Sequence, residues 1–220
     1  MQALDHSGDR AQGLPHRDMG CITRLVMASA NPHKAVEIAA VLREAMPEVQ
    51  ILPRPPELGE VVEDGATLVD NALIKARAVY AVAGEPTLAD DTGLEVDTLD
   101  GAPGVYSARY AGPEADSAAN VAKLMAALVQ VPPPRRTARF RTVVAAALDE
   151  RSELVAHGVV EGTIALAPRG HGGFGYDPVF VPDEAAPLTF AQLSREQKNR
   201  ISHRARALRR LAAQLTQHCG

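Results

Sequence analysis

The sequence predicts an α/β fold: an elongated mixed β-sheet with flanking helices. Two observations carry the prediction. Strand-like and helix-like segments alternate at the start of the chain, which implies parallel crossovers. Two long strand-like segments then follow one another directly, which implies an antiparallel hairpin. A third observation divides the molecule. Pro132-Pro133-Pro134 is a stiff break that separates two lobes, and a cleft between lobes is a usual place for a ligand.

Each element has its own justification. Residues 1–20 mix Gly, His, Asp, Arg and Gln without a period. They are expected to be a disordered leader, or to precede a true start at Met19, and to stand outside one domain spanning 21–220. Ile22–Ser29 is short and apolar and ends on small polar residues, as a buried strand does. Asn31-Pro32 starts a helix, because Asn is a favoured N-cap and Pro a favoured first residue. That helix runs to about Met46, where Pro47 marks its end. Val49–Leu52 is a second strand and Pro53–Gly65 a loop. Thr67–Val82 is a long helix capped by Gly84, with Leu68, Ala72, Ile74, Ala76, Val79 and Val82 on its expected buried face.

Thr87–Ala89 is a strand that runs into Asp90-Asp91, and Gly93–Gly112 is rich in turns. Ala115–Val129 is an amphipathic helix. Ala138–Leu148 and Glu153–Glu161 form the hairpin, turning near Glu150–Ser152. Pro168–Asp177 is a Gly-rich loop, and Phe180-Val181 a short strand ended by Pro182. The C-terminal stretch is helical, with starts at Ser194, whose Ser-x-x-Gln197 is a capping box, and at Ser202.

Composition excludes several classes. The 220 residues are 46% hydrophobic and 23% charged, ordinary for a globular protein. No apolar run approaches the roughly 20 residues of a membrane helix. Aromatics are 4% and Trp is absent, which disfavours binding single strands by base stacking. Cys21 and Cys219 sit near opposite ends and make no disulfide framework, so the cytoplasm is the expected compartment. The net charge of −4 argues against a general nucleic-acid binder. Between Arg195 and Arg210, however, seven Lys or Arg stand against one acid. That block is either a solvated basic helix face or a local anion site.

Four clusters carry chemistry. Asp90-Asp91-Thr92-Gly93 follows a strand and has the oxygen ligands of a hard cation. Alternation along the strand means that only one of the two carboxylates need face the site. Ser29-Ala30-Asn31-Pro32-His33-Lys34 is a strand-to-helix turn, where backbone amides and the helix dipole favour phosphate. Gly172-Gly173-Phe174-Gly175-Tyr176-Asp177-Pro178 offers flexible backbone, a ring and an acid. Lys198 with Ser202-His203-Arg204 puts three potential cations near a helix start, a cradle for polyphosphate. Singly each has an ordinary structural explanation. Together they describe a nucleoside triphosphate and magnesium site.

These blocks, in this order and spacing, resemble the inosine triphosphate pyrophosphatase (Ham1-like) family from about Leu25 to Leu215. The most specific is Ala89-Asp90-Asp91-Thr92-Gly93-Leu94, continuing through Gly101-Ala102-Pro103-Gly104-Val105-Tyr106-Ser107-Ala108-Arg109-Tyr110. The first block includes Glu37, and the last includes Asn199. The resemblance implies a two-lobed α/β structure around a central nucleotide-binding cleft. It also implies Mg²⁺, a homodimer, and hydrolysis of inosine, deoxyinosine and xanthosine triphosphates to the monophosphate and pyrophosphate. Residue by residue, it makes Asp91 the catalytic carboxylate and a metal ligand, with Glu63 a second acid of the metal site. Ser29, Ala30, Asn31, Pro32, His33 and Lys34 fall on the polyphosphate side, with Thr92 a further substrate contact. Phe174, Gly175, Tyr176 and Asp177 form the base pocket, and Lys198, His203 and Arg204 the remaining nucleotide contacts. The chain departs from the family pattern at Thr92, where Ser is commoner, and at Ala205, where Gly is. It departs again at Pro32-His33, where Gly often appears. No needed charged group is lost. The competing expectations are a pyrophosphatase with another base preference, such as dUTP, and a non-catalytic nucleotide sensor on the same fold.

Overall fold

The computed structural model describes residues 22–114 and 116–218. The leader and both cysteines lie outside them. A four-residue strand, β1 (Arg24–Met27), leads into α1 (Pro32–Ala45) and then β2 (Gln50–Leu52), which pairs parallel to β1. Next, α2 (Leu68–Ala83) crosses back, and β3 (Thr87–Val96) pairs parallel to β1 on its other side. From β3 onward the pairing is antiparallel: β4 (Pro103–Gly104), β5 (Thr137–Ala147), β6 (Glu153–Ile164) and β7 (Phe180–Pro182). Between β4 and β5 lies α3 (Ser117–Ala127), and after β7 come α4 (Arg195–Ile201) and α5 (His203–His218). The sheet order is β2-β1-β3-β5-β6-β7, with β4 beside β3. This is the mixed sheet that the sequence predicts.

The helix boundaries follow local chemistry. The Asn31 side chain accepts from the His33 and Lys34 amides. Thr67 and Asp70 form a capping box on α2, which Gly84 closes in the left-handed conformation. Ser194 and Gln197 form the expected box on α4, and Ser202 separates α4 from α5.

Alternation along the strands sorts the core into two faces. Leu25, Leu88, Val144 and Ala146 pack under α1 and α5, against Ile38, Leu42, Leu208 and Leu211. Val26, Ala89, Val143 and Ala145 pack under α2, against Ala72, Ala76 and Val79. Ile74 and Val82 are not part of that buried face, and Val82 is 45% exposed. Farther along the same long strands, Leu94, Val96, Phe140, Val160 and Ile164 build another core with α3, Phe180 and Phe190. Between the two regions runs a narrow polar and small band, where Thr92 pairs with Thr142 and Thr142 with Gly158.

The boundary that shapes the site differs from the sequence expectation. The strand holding Asp90-Asp91 does not end there, and Gly93 does not begin the turns. β3 continues in unbroken register with β5, from Thr87↔Ala147 to Val96↔Ala138. Aspartate is a poor strand former, but these two are held by cations from distant segments, which local propensity does not record.

Candidate active site

The strand order creates the site. From β1 the chain moves to β2 on one side, then crosses to β3 on the other, with α1 and α2 on opposite faces of the sheet. A crevice at such a reversal, beyond the carboxyl end of the strand, is where open α/β sheets bind ligands. The pairing of β1 with β3 stops at Leu88, and that of β4 with β3 begins at Leu94. Ala89–Gly93 therefore present an unpaired edge there, and a cavity of about 590 Å³ opens along it.

That edge lets both carboxylates line the cavity, where the sequence required only one. Asp90 lies toward α1 and α5. Its Oδ2 is 3.2 Å from Lys34 Nζ and accepts from Arg204 Nε at 3.1 Å. Burial works against ionising Asp90, but the Lys34 and Arg204 charges outweigh it and hold the carboxyl well below its usual range. Asp91 lies toward α2. Asn71 Nδ2 donates to its Oδ2 at 3.2 Å, and Lys75 Nζ approaches its Oδ1 at 3.5 Å. Here burial prevails over the neighbouring Lys75 and Lys34 charges, so Asp91 is pushed upward. Adjacent aspartates on one strand thus acquire opposite tendencies.

Lys75 also donates to Glu63 Oε2 at 2.9 Å, so one ammonium bridges the Glu63 and Asp91 carboxylates. Asn71 Oδ1 accepts from the Gly65 amide at 2.9 Å, tying the loop that carries Glu63 to α2. Neither Asn71 nor Lys75 was singled out from the sequence. Their i, i+4 spacing on one helix face was the available signal. Among the described residues, no group of three or more His, Cys, Asp or Glu is gathered for a metal. Two carboxylates already sharing one cation still suit Mg²⁺, which takes one or two carboxylates and completes its shell with water and substrate phosphate.

Ser29, Ala30, Asn31 and Lys34 line the cavity, whereas Pro32 and His33 are not among its lining residues. The start of α1 is also less open to phosphate than its sequence implies. Pro32 has no N–H, and Asn31 Oδ1 accepts from the His33 and Lys34 amides at 2.9 and 3.3 Å. What the turn offers is the Lys34 ammonium, whose affinity for its proton is lowered by burial and by nearby Lys75 and Arg204, against the pull of Asp90.

The opposite wall is the Phe174–Asp177 loop. Gly173 has φ +71°, and a Cβ there would lie 2.0 Å from Asp177 Oδ2, so only Gly fits. Asp177 Oδ2 accepts from the Phe174 amide at 2.8 Å and from Lys198 Nζ at 2.6 Å, folding the loop on itself. Phe174 is half-buried and belongs to none of the three cores. Its ring stacks with His33 at 5.5 Å and meets Lys198 Nζ at 5.0 Å. Tyr176 is a core residue that also lines the cavity, and its OH donates to the Ser107 carbonyl at 2.9 Å. Burial pushes that phenol far up, so it stays protonated.

The basic block brings Lys198, His203 and Arg204 to the cavity, as an anion site would need, but with its charges largely committed. It is not simply a solvated face, and it does not present three free cations. Lys198 donates to Glu37 Oε1 at 2.7 Å as well as to Asp177. Arg204, 2% exposed, donates to Glu37 Oε2, to Asp90 and to Thr92 Oγ1. His203 stacks on Phe140 at 4.5 Å, and its Nδ1 has no partner among the described residues. Burial, with Arg204 and Lys198 nearby, drives the imidazole well below its ordinary range, so it is neutral. All three residues line the cavity, but two are already ion-paired and the third is uncharged.

Several known proteins are similar to this chain. The dITP/XTP pyrophosphatase of Nitratidesulfovibrio vulgaris is 49% identical over 193 residues, covering 85% of this chain and 93% of that protein. The dITP/XTP pyrophosphatase of Porphyromonas gingivalis is 50% identical over 191 residues, covering 86% and 95% respectively. The structure of a HAM1 protein from Coxiella burnetii superimposes with a TM-score of 0.79 at 42% identity, over 89% of this chain and all 100% of that one. The nucleoside-triphosphatase / dITP/XTP pyrophosphatase of Mycobacterium abscessus does so with 0.68 at 44% identity, over 86% and 97%. The sequence model of the Ham1 family matches residues 25–214, nearly all that the structure describes, and the chain belongs to that family.

Proposed function

We infer that this chain hydrolyses deaminated purine nucleoside triphosphates (ITP, dITP and XTP) to the monophosphate and pyrophosphate, and so cleanses the nucleotide pool. It is a hydrolase of nucleoside triphosphate anhydrides, as relatives named dITP/XTP pyrophosphatases indicate. The observation that carries the reading is a single cavity. It is lined by Asp91 and Glu63, by Lys34 at the first helix, and by the Phe174–Asp177 loop. A nucleoside triphosphate needs a general base, counter-charge and a base-sized slot together.

In this reading Asp91 accepts the proton of a water that attacks the α-phosphorus. Its carboxylate lines the cavity on the unpaired edge of β3, where a positioned side chain can take the proton of the attacking water. The new P–O bond forms as the bond to the α,β-bridging oxygen breaks, and pyrophosphate leaves with that electron pair. Asn71 and Lys75 orient the Asp91 carboxylate, and Lys34 supplies fixed positive charge. Asp91 and Glu63 would hold Mg²⁺, which when bound adds charge neutralisation on the phosphates. The Phe174–Asp177 loop selects the base. A donor facing the 6-oxo group of hypoxanthine is left unpaired by a 6-amino group, a costly mismatch in a buried pocket. The reading includes a homodimer working in the cytoplasm. Among the described residues no helix is long and apolar enough to cross a membrane.

Asp91→Asn tests this assignment, because it keeps the side chain's shape and removes the base. Pyrophosphate release from ITP is expected to fall by about a hundredfold or more, with the thermal unfolding profile retained. Retention of more than a tenth of the wild-type rate would remove Asp91 from the base role.

A further inference from the structure

The charges around the cavity are unevenly committed. Lys34 is paired with Asp90, and Lys75 with Glu63 and Asp91. Lys198 is paired with Glu37 and Asp177, and Arg204 with Glu37 and Asp90. His203 is neutral. Among the described residues, Arg109 is the one cavity-lining Lys or Arg with no carboxylate partner. Its guanidinium rests 5.2 Å from the Tyr106 ring centre and donates through Nη2 to the Glu63 carbonyl at a long 3.4 Å. A half-buried guanidinium held this loosely keeps donors to spare.

Its backbone, by contrast, is fixed. Arg109 ends the 3₁₀ turn Ser107–Arg109. The buried Ser107 hydroxyl accepts from the Leu94 amide at 2.8 Å and donates to the Gly104 carbonyl at 2.6 Å. The turn is thereby anchored to β3 beside the Asp91 edge, and through the Ser107 carbonyl to Tyr176. A fixed base carrying a planar fork with no carboxylate partner, on the Glu63 side of the cavity, suits a phosphate chain.

We propose that Arg109 binds the triphosphate chain of the substrate, supplying the free positive charge that the ion-paired cations of the cavity do not. The inference rests on the pyrophosphohydrolase reading and adds a contact to it. It requires that the guanidinium leave the Glu63 carbonyl for phosphate oxygens, which neutral cavity occupants would not induce.

Binding to the full chain tests this without depending on turnover. Inorganic triphosphate and inosine are titrated separately into the wild type, Arg109→Gln and Arg109→Lys in Mg²⁺ buffer, by calorimetry for the former and ligand-observed NMR for the latter. Arg109→Gln is expected to weaken inorganic triphosphate about tenfold or more, the scale of a lost charge-assisted bidentate contact. Inosine affinity is expected to stay within about twofold, because an uncharged ligand makes no such contact. Arg109→Lys is expected to recover part of the loss. Unchanged triphosphate affinity in Arg109→Gln would overturn the proposal. So would an equal weakening of both ligands, which would mark a packing role against Tyr106. Failure of the wild type to release pyrophosphate from ITP is a separate result, which would remove the pyrophosphohydrolase reading and this contact together.

Discussion

Asp90 and Asp91 are chemically identical neighbours with different fates. Strand alternation sends them to opposite faces, toward Lys34 and Arg204 in one case and toward Asn71 and Lys75 in the other. The sequence made the pair and its importance legible. It did not make the partners legible, because Arg204 lies 114 residues from Asp90. His203 is a similar case. A histidine beside Lys198 and Arg204 reads as a third cation, yet its ring stacks on Phe140, lies beside Phe190 and is only 2% exposed. Its proton affinity is depressed by burial from the ordinary 6.5. Below that pH the unfolded chain takes up a proton that the folded chain refuses, so stability must fall as pH falls. The expected slope from this one group is about 1.4 kcal/mol per pH unit. Urea unfolding of the wild type and His203→Phe at pH 7.5, 6.5 and 5.5 checks it. The wild type should lose stability relative to the variant on acidification. A difference that does not change with pH would contradict a neutral buried imidazole.

At the scale of elements, the caps were the most legible feature. Asn31-Pro32, Gly84 and Ser194 mark helix ends by local hydrogen bonding and the structure uses each of them, while Thr67, read as the first helical residue, is the N-cap of α2. The length of β3 was not legible, because its register is dictated by β5, not by its own residues. The placing of α5 against the sheet was also hidden. It depends on Gly158 of β6, where an added Cβ would meet the His203 carbonyl oxygen at 1.9 Å and the Ala207 amide at 2.6 Å. Both are backbone atoms, which cannot swing aside as a side chain can. Gly158→Ala should therefore push the start of α5 off the sheet and destabilise the fold by about 1–3 kcal/mol, the usual cost of overpacking. Because α5 carries His203 and Arg204 into the cavity, ITP turnover should fall with it. A melting temperature equal to that of the wild type would show that α5 does not press on β6.

At the scale of the molecule, the mixed sheet was readable from the alternation of segments and the long hairpin. The cavity was not. Its position follows from strand order, which places β1 between β2 and β3 and leaves Ala89–Gly93 unpaired on one side. Short β1 and long β3 are both needed for that gap, and neither length was evident before pairing was known. The result is a strand that carries Asp90 and Asp91 between Leu88-Ala89 and Leu94, with hydrophobic packing on either side of a polar cleft. The proposed chemistry depends on that cleft accepting one class of nucleotide. Its most direct test is pyrophosphate release from ITP, dITP, XTP, ATP, GTP, dUTP and dTTP, with and without Mg²⁺. The account predicts release from the inosine and xanthosine nucleotides well above the others, and its loss without the metal. Preference for dUTP or dTTP, or no release from any of them by folded protein, would contradict it.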